Sequence, residues 1–180
     1  RLVVAELNRL VAEAMAEARV TGLQLAVFND AQPAYVHSYG YRDASRTVAM
    51  DNDTVLQAAS LRKSMFACIV LKLVEEGRFD LDTPIDEYLE FPLYELENFR
   101  FDYVDLEQDE RHTVITGRML LTHTAGFRNY RFFGDDDDKL LIHFDPGSQY
   151  HYSGEGIMLL QSIVEHATGE TLVALSERYL

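Results

Sequence analysis

At 180 residues the chain is long enough for one domain with a real core, and its 47% hydrophobic content, interrupted throughout by charges, is that of a globular protein rather than a disordered one. Sixteen basic against thirty acidic residues leave a formal charge of −14, a field that repels phosphate backbones and anionic membranes and argues against nucleic acid as a partner. The longest apolar run, Met65 to Val74, is broken by Lys72 and falls short of the roughly 18 residues that cross a bilayer, so no membrane span is expected.

No signal peptide is recognisable, and the chain opens at Arg1 without an initiator Met, which leaves the compartment open. Leu2 to Arg19 reads as an amphipathic helix with Val3, Leu7, Leu10, Val11 and Ala14 on one side, ended by Gly22. Leu23, Leu25 and Val27 then alternate as in a strand, Asn29 to Pro33 reads as a turn, and a second strand places Tyr35, His37, Tyr39 and Tyr41 on one face. Asp43 to Thr54 is polar loop. The next helix carries an apolar stripe of Met65, Phe66, Ile69, Val70, Leu73 and Val74 and closes at Gly77. Cys68, the single cysteine, lies within it and reads as a buried structural thiol; no internal disulfide or cysteine-based metal site is expected.

From Leu81 to Arg111 the chain is mixed, with Pro84 and Pro92 as breakers. Thr116 is the expected N-cap of a short helix running to about Thr122. Asp135 to Asp138 is a like-charge run that reads as a solvated loop. A second apolar helix spans roughly Ile157 to Ala167 and ends near Gly169, and Thr171 caps another. His112, His123, His143 and His151 lack metal-ligand spacing, and the aspartate run lacks the alternation and glycine of a calcium loop.

Ser60-Leu61-Arg62-Lys63 is the stretch that carries chemistry. Residues three apart on a helix share a face, so the hydroxyl and the amine can meet. A neighbouring amine without its proton can activate a serine, and the positive start of the helix favours charge developing beside it. Alone, the spacing is equally compatible with an N-capping serine and a surface lysine.

Two further stretches lift that tie, and with them the chain resembles the serine beta-lactamase and penicillin-binding-protein superfamily, in its class C-like branch of esterases and D-alanyl-D-alanine peptidases. Ala58 to Lys63 is similar to the family's first motif, and Leu71 to Gly77 with Leu81 to Ile85 resembles the segment that succeeds this motif in the family. Leu120 to Phe127 resembles a structural turn of this branch, within which His123 reads as a hydrogen-bonding structural residue. Asp145-Pro146-Gly147-Ser148 leading to Tyr152-Ser153-Gly154 resembles the second motif, whose tyrosine serves as base.

The resemblance implies an α+β fold, an antiparallel sheet flanked by helices with a mainly helical subdomain. It also implies a serine hydrolase working through an acyl-enzyme on an ester, amide or beta-lactam-like small molecule, with no metal or organic cofactor. Ser60 would be nucleophile, Lys63 its proton partner and Tyr152 general base, with the Ser60 N–H as half of an oxyanion hole. Burial would penalise the ammonium of Lys63 while an adjacent ammonium would favour the phenolate of Tyr152, so the shared proton belongs to the cluster.

There are two departures from the pattern. The second motif usually ends in asparagine, whose amide can contact the substrate, and Gly154 stands there instead, which leans the reading toward a simple ester. Glu155 beside it is assigned to helix entry. Family members also continue for roughly as long again, adding strands and a third motif that supplies the other oxyanion donor. Residues 1–180 are therefore expected to be a single incomplete domain. Its first part, 1–58, would hold a helix and the first strands, and its second, 59–180, the mainly helical part, with a second chain or a missing C-terminal half completing the sheet. An extracytoplasmic location is compatible with the resemblance. The rival expectation is a non-catalytic binding or scaffold protein that kept the fold.

Overall fold

A computed structural model describes residues 3–97, 101–134 and 137–180. The expected helix start at Leu2 and the first half of the aspartate run, 135 and 136, lie outside the described residues; Asp137 and Asp138 are exposed in a turn. The architecture is α+β, with five helices and one two-stranded antiparallel sheet among the described residues. The chain divides into two compact units, Arg1–Ala58 and Ala59–Leu180. No described helix is long and apolar enough to cross a membrane.

The first unit is helix α1 (Val4–Glu17) with strands β1 (Gly22–Asn29) and β2 (Gln32–Gly40). The strands pair from Gly22↔Gly40 to Asn29↔Gln32. Asp30 and Ala31 both have positive φ, 49° and 58°, the backbone that a two-residue hairpin turn needs to match the right-handed twist of its strands. The turn is thus shorter than the sequence suggests, and Pro33 is absorbed where the register shifts between Val27 and Phe28. Tyr35, His37 and Tyr39 do share a face: their rings pack in succession, and the Tyr35 and Tyr39 hydroxyls both donate to Asn8 Oδ1, at 2.6 and 2.7 Å. The half-buried side of α1 is Leu7, Asn8, Val11 and Met15; Leu10 and Ala14, expected on that side, are exposed. Gly22 begins β1 rather than ending α1, whose C-cap is Ala18.

The second unit holds the main core. Helix α2 (Arg62–Glu75) contributes Phe66, Ile69, Val70 and Leu73, all buried. Met65, expected on this stripe, is half exposed, and Cys68, expected to be buried, is exposed. At 100° per residue Cys68 lies about 200° from Phe66, on the side of the helix away from the core. Helix α3 (Gly117–Leu121) is capped by Thr116, whose hydroxyl accepts from the Met119 N–H, and it packs on α4 (Gly154–Thr168). Helix α4 buries Ile157, Leu159, Leu160, Ile163 and Val164, each contributing on the order of 1.5–3 kcal/mol relative to exposure. Gly169, with φ 68°, ends α4 in the left-handed conformation that caps helices. Helix α5 (Leu172–Tyr179) is capped by Thr171 and packs on α2. Arg78, just past α2, holds Glu170, just before α5, at 2.6 Å.

Candidate active site

Ser60 sits in a single 3₁₀ turn, Ala59–Leu61, that runs directly into α2, so Lys63 falls one turn further on the same face. The Lys63 ammonium donates to Ser60 Oγ at 3.1 Å. Leu61, the N-cap of α2, provides no side-chain cap, and the positive start of the helix lies next to Ser60 in the chain, where it favours a developing negative charge. Ala59 enters this turn with φ 45°, a left-handed backbone that disfavours any residue with a Cβ and that commonly marks functional sites.

Tyr152 comes from the far end of the sequence and joins the same cluster. Lys63 Nζ lies 5.0 Å from the centroid of its ring. Hydrogen bonding with Lys63 first, and with Ser60 second, holds the Tyr152 phenol below the ordinary tyrosine range. Ser60, Lys63 and Tyr152, the three residues singled out from the sequence, are therefore brought together in the second unit.

The segment carrying Tyr152 is fastened on both sides. His123, whose φ is 60°, accepts the Ser153 N–H at its Nδ1 (3.2 Å), and its carbonyl accepts the His151 N–H at 2.9 Å. Its ring lies 4.7 Å from that of Tyr152. Burial, and next the charge on Lys63, pull the His123 imidazole below its ordinary value, so at neutral pH it is the uncharged tautomer with its proton on Nε2. His123 is thus a positioning residue, in keeping with the structural role read for its turn.

Ser153 caps α4, accepting from the Gly156 N–H at 2.9 Å and donating to the Arg128 carbonyl at 2.8 Å. Asn129 takes the Gly154 N–H on its carbonyl oxygen (2.7 Å) and on Oδ1 (3.0 Å). Glu155 does more than mark a helix entry. Its side chain is 2% exposed and paired with Arg131, 9% exposed. Arg131 reaches it through its backbone N–H (2.9 Å), Nε (3.2 Å) and Nη2 (3.0 Å). Sequence reasoning missed this pair, because 24 residues and an irregular loop separate its members. It also missed what faces Gly154: a Cβ there would meet the Tyr130 ring at 2.5 Å and the Asn129 carbonyl at 2.8 Å.

Among the described residues no three His, Cys, Asp or Glu side chains gather as a metal site. A nucleophile, a cation and a phenol with depressed pKa at a helix start form an arrangement capable of acyl transfer.

The sequence model of the Beta-lactamase family matches residues 7–180. The chain is 28% identical over 189 residues to a putative fimbrial assembly protein FimD of Dichelobacter nodosus, covering 96% of this chain and 44% of that protein. It is 27% identical over 195 residues to the esterase EstB of Burkholderia gladioli, covering 94% and 47%. The octameric penicillin-binding protein homologue from Pyrococcus abyssi superposes with a TM-score of 0.73 at 23% identity, over 98% of this chain and 42% of that one. The chain spans less than half the length of these relatives.

Proposed function

The chain belongs to the beta-lactamase family, and from that premise we propose that it carries the nucleophile-bearing part of a serine hydrolase acting through an acyl-enzyme on an ester or amide. The observation that carries the reading is the Ser60–Lys63–Tyr152 cluster, with Lys63 on Ser60 Oγ at 3.1 Å and the Tyr152 phenol depressed by both partners. Its resemblance to an esterase supports hydrolytic chemistry of this class.

In the proposed cycle Tyr152, as phenolate beside the Lys63 ammonium, takes the Ser60 proton while Oγ forms a bond to the substrate carbonyl carbon. The oxyanion is met by the Ser60 N–H, in the turn that leads into α2, and by the positive start of that helix. Collapse breaks the bond to the leaving alkoxide or amine, which receives the proton from Tyr152. Water then attacks the acyl carbon, gives a proton to Tyr152, and the acid departs as Ser60 Oγ regains a proton. No metal or organic cofactor takes part in this scheme.

Hydrolysis of p-nitrophenyl acetate tests the proposal. Ser60→Ala removes turnover, and Tyr152→Phe and Lys63→Met each lower it by about 10²–10⁴, the range of one proton-transfer group. Equal rates in wild type and Ser60→Ala would overturn it. A second reading, a non-catalytic binding protein of the same fold, is favoured by Gly154, which offers a substrate no amide.

A further inference from the structure

His123 occupies a left-handed position, φ 60°, that costs a residue with a Cβ about 1–2 kcal/mol and that its surroundings hold in place. Its N–H donates to the Leu120 carbonyl (3.3 Å), and the Thr124 N–H donates to the Met119 carbonyl (2.8 Å). On the other side its carbonyl accepts the His151 N–H at 2.9 Å. The turn so fixed delivers the imidazole to the segment that carries Tyr152. Nδ1 accepts the Ser153 N–H at 3.2 Å, and the ring lies 4.7 Å from that of Tyr152 and 6.0 Å, edge-on, from that of Tyr150. Tyr152 is therefore held through its phenol by Lys63 and Ser60, and through the adjoining backbone by His123.

The bond at Nδ1 exists in one protonation state only. A neutral imidazole has one donor and one acceptor nitrogen, so while Nδ1 accepts, Nε2 carries the proton. A second proton has only Nδ1 to bind, and the resulting Nδ1–H faces the Ser153 N–H, donor against donor.

The surroundings do not compensate the added charge. Among the described residues the titratable groups that meet the imidazole are Lys63 from α2 and Tyr150 and Tyr152 from the segment before α4. His151 is exposed and reaches His123 through the backbone. The charge that acts on the ring is the Lys63 ammonium, and no described carboxylate offsets it. Two other histidines differ in this respect: His112 lies 3.0 Å from Asp86 and His166 2.9 Å from Glu90, where an imidazolium has a counter-charge. Burial and Lys63 together keep His123 neutral at pH 7, with a folded value below its ordinary 6.5.

We infer that His123 is the positioning residue through which acid disengages the Ser60 site: a proton at Nδ1 takes away the acceptor of the Ser153 N–H, sets an imidazolium against the Lys63 ammonium, and releases Tyr152 from its place beside Ser60. This rests on the reading of Tyr152 as general base.

The test follows the rate of Ser60 labelling by a fluorophosphonate, read by intact mass, from about pH 8 to pH 4.5. NMR of the imidazole nitrogens and of the Ser153 amide covers the same range. In wild type, labelling falls by a further factor of about ten per pH unit below the midpoint at which His123 titrates, and the Ser153 amide shifts with that midpoint. His123→Asn places an acceptor oxygen where Nδ1 stands, suits a left-handed backbone and takes up no proton. It labels within about threefold of wild type at pH 7.5 and lacks the added fall in acid. A merely structural role would slow labelling at every pH and leave the acid limb where it was.

An acid limb of the same steepness and midpoint in His123→Asn overturns the inference, and so does a proton on Nδ1 at pH 7.5. If His123→Asn fails to fold by far-UV circular dichroism, the wild-type spectra decide, and a Ser153 amide that does not follow the His123 titration overturns it. If Ser60 labels at no pH, the nucleophile reading falls. The acid release of Tyr152 then stands or falls on whether the Tyr152 ring and the Ser153 amide move with the His123 midpoint.

Discussion

Replacing Glu155 by alanine removes the fastener between the 128–133 loop and the start of α4. Its carboxylate is 2% exposed and accepts three N–H bonds from Arg131 between 2.9 and 3.2 Å. Breaking a buried pair by deleting one partner typically costs about 3–5 kcal/mol, because the other charge is left without compensation. Arg131 keeps the Asp102 carbonyl and the Phe101 ring, which favours the lower end, about 3 kcal/mol. For a chain of this size that corresponds to a fall in Tm of roughly 6–12 °C. Glu155→Gln, which keeps the volume and an acceptor but loses the charge, costs about half as much. Urea unfolding at pH 7 followed by far-UV circular dichroism measures both, since the chain has no tryptophan to report by fluorescence. A cost below about 1 kcal/mol for Glu155→Ala would show that the pair does not fasten the loop, because a pair buried to this degree is not released so cheaply.

Three further outcomes are expected. Gly154→Ala destabilises by about 1–3 kcal/mol in urea titrations, since its Cβ would overlap the Tyr130 ring and the Asn129 carbonyl, and Tyr130→Ala recovers part of that cost in the double variant. Ala59→Gly stabilises by about 1 kcal/mol, read as a higher urea midpoint, because the left-handed backbone at φ 45° is one that glycine adopts without penalty. The folded-state pKa of His123 lies below its unfolded value of about 6.5. The unfolded chain therefore binds that proton first, so His123's contribution is present above that pH and lost as pH falls through the folded value. The stability difference between wild type and His123→Gln should accordingly shrink from pH 7.5 to pH 5; a difference that grows on acidification would contradict the assignment.

Local spacing made much of this molecule legible. Ser60 and Lys63 are three residues apart at a helix start, and Thr116 and Thr171 stand where their hydroxyls take orphan N–H groups. The hairpin followed from alternation, although its two-residue turn depends on positive φ at Asp30 and Ala31, neither of which is glycine or asparagine. Periodicity identified α2 but not which apolar residues face the core, so Cys68 and Met65 were expected inside and lie outside. Tyr152 is 92 positions from Ser60, and only its resemblance to a family motif linked the two. Tyr130 against Gly154 and Arg131 against Glu155 carry no periodic or motif signal, because irregular loops bring together residues that nothing in local sequence relates. An acid in the first turn of a helix ordinarily answers the helix dipole, which hid the buried role of Glu155.

The proposed chemistry depends on Ser60 being an activated nucleophile in this chain. Intact-mass analysis after incubation with a fluorophosphonate tests it most directly, because the probe reacts with the serine and needs no knowledge of the substrate. One adduct per chain is expected, mapped to Ser60 by peptide sequencing, absent in Ser60→Ala and slowed in Tyr152→Phe. A folded chain that takes up no adduct, or one that labels equally in Ser60→Ala, would contradict it.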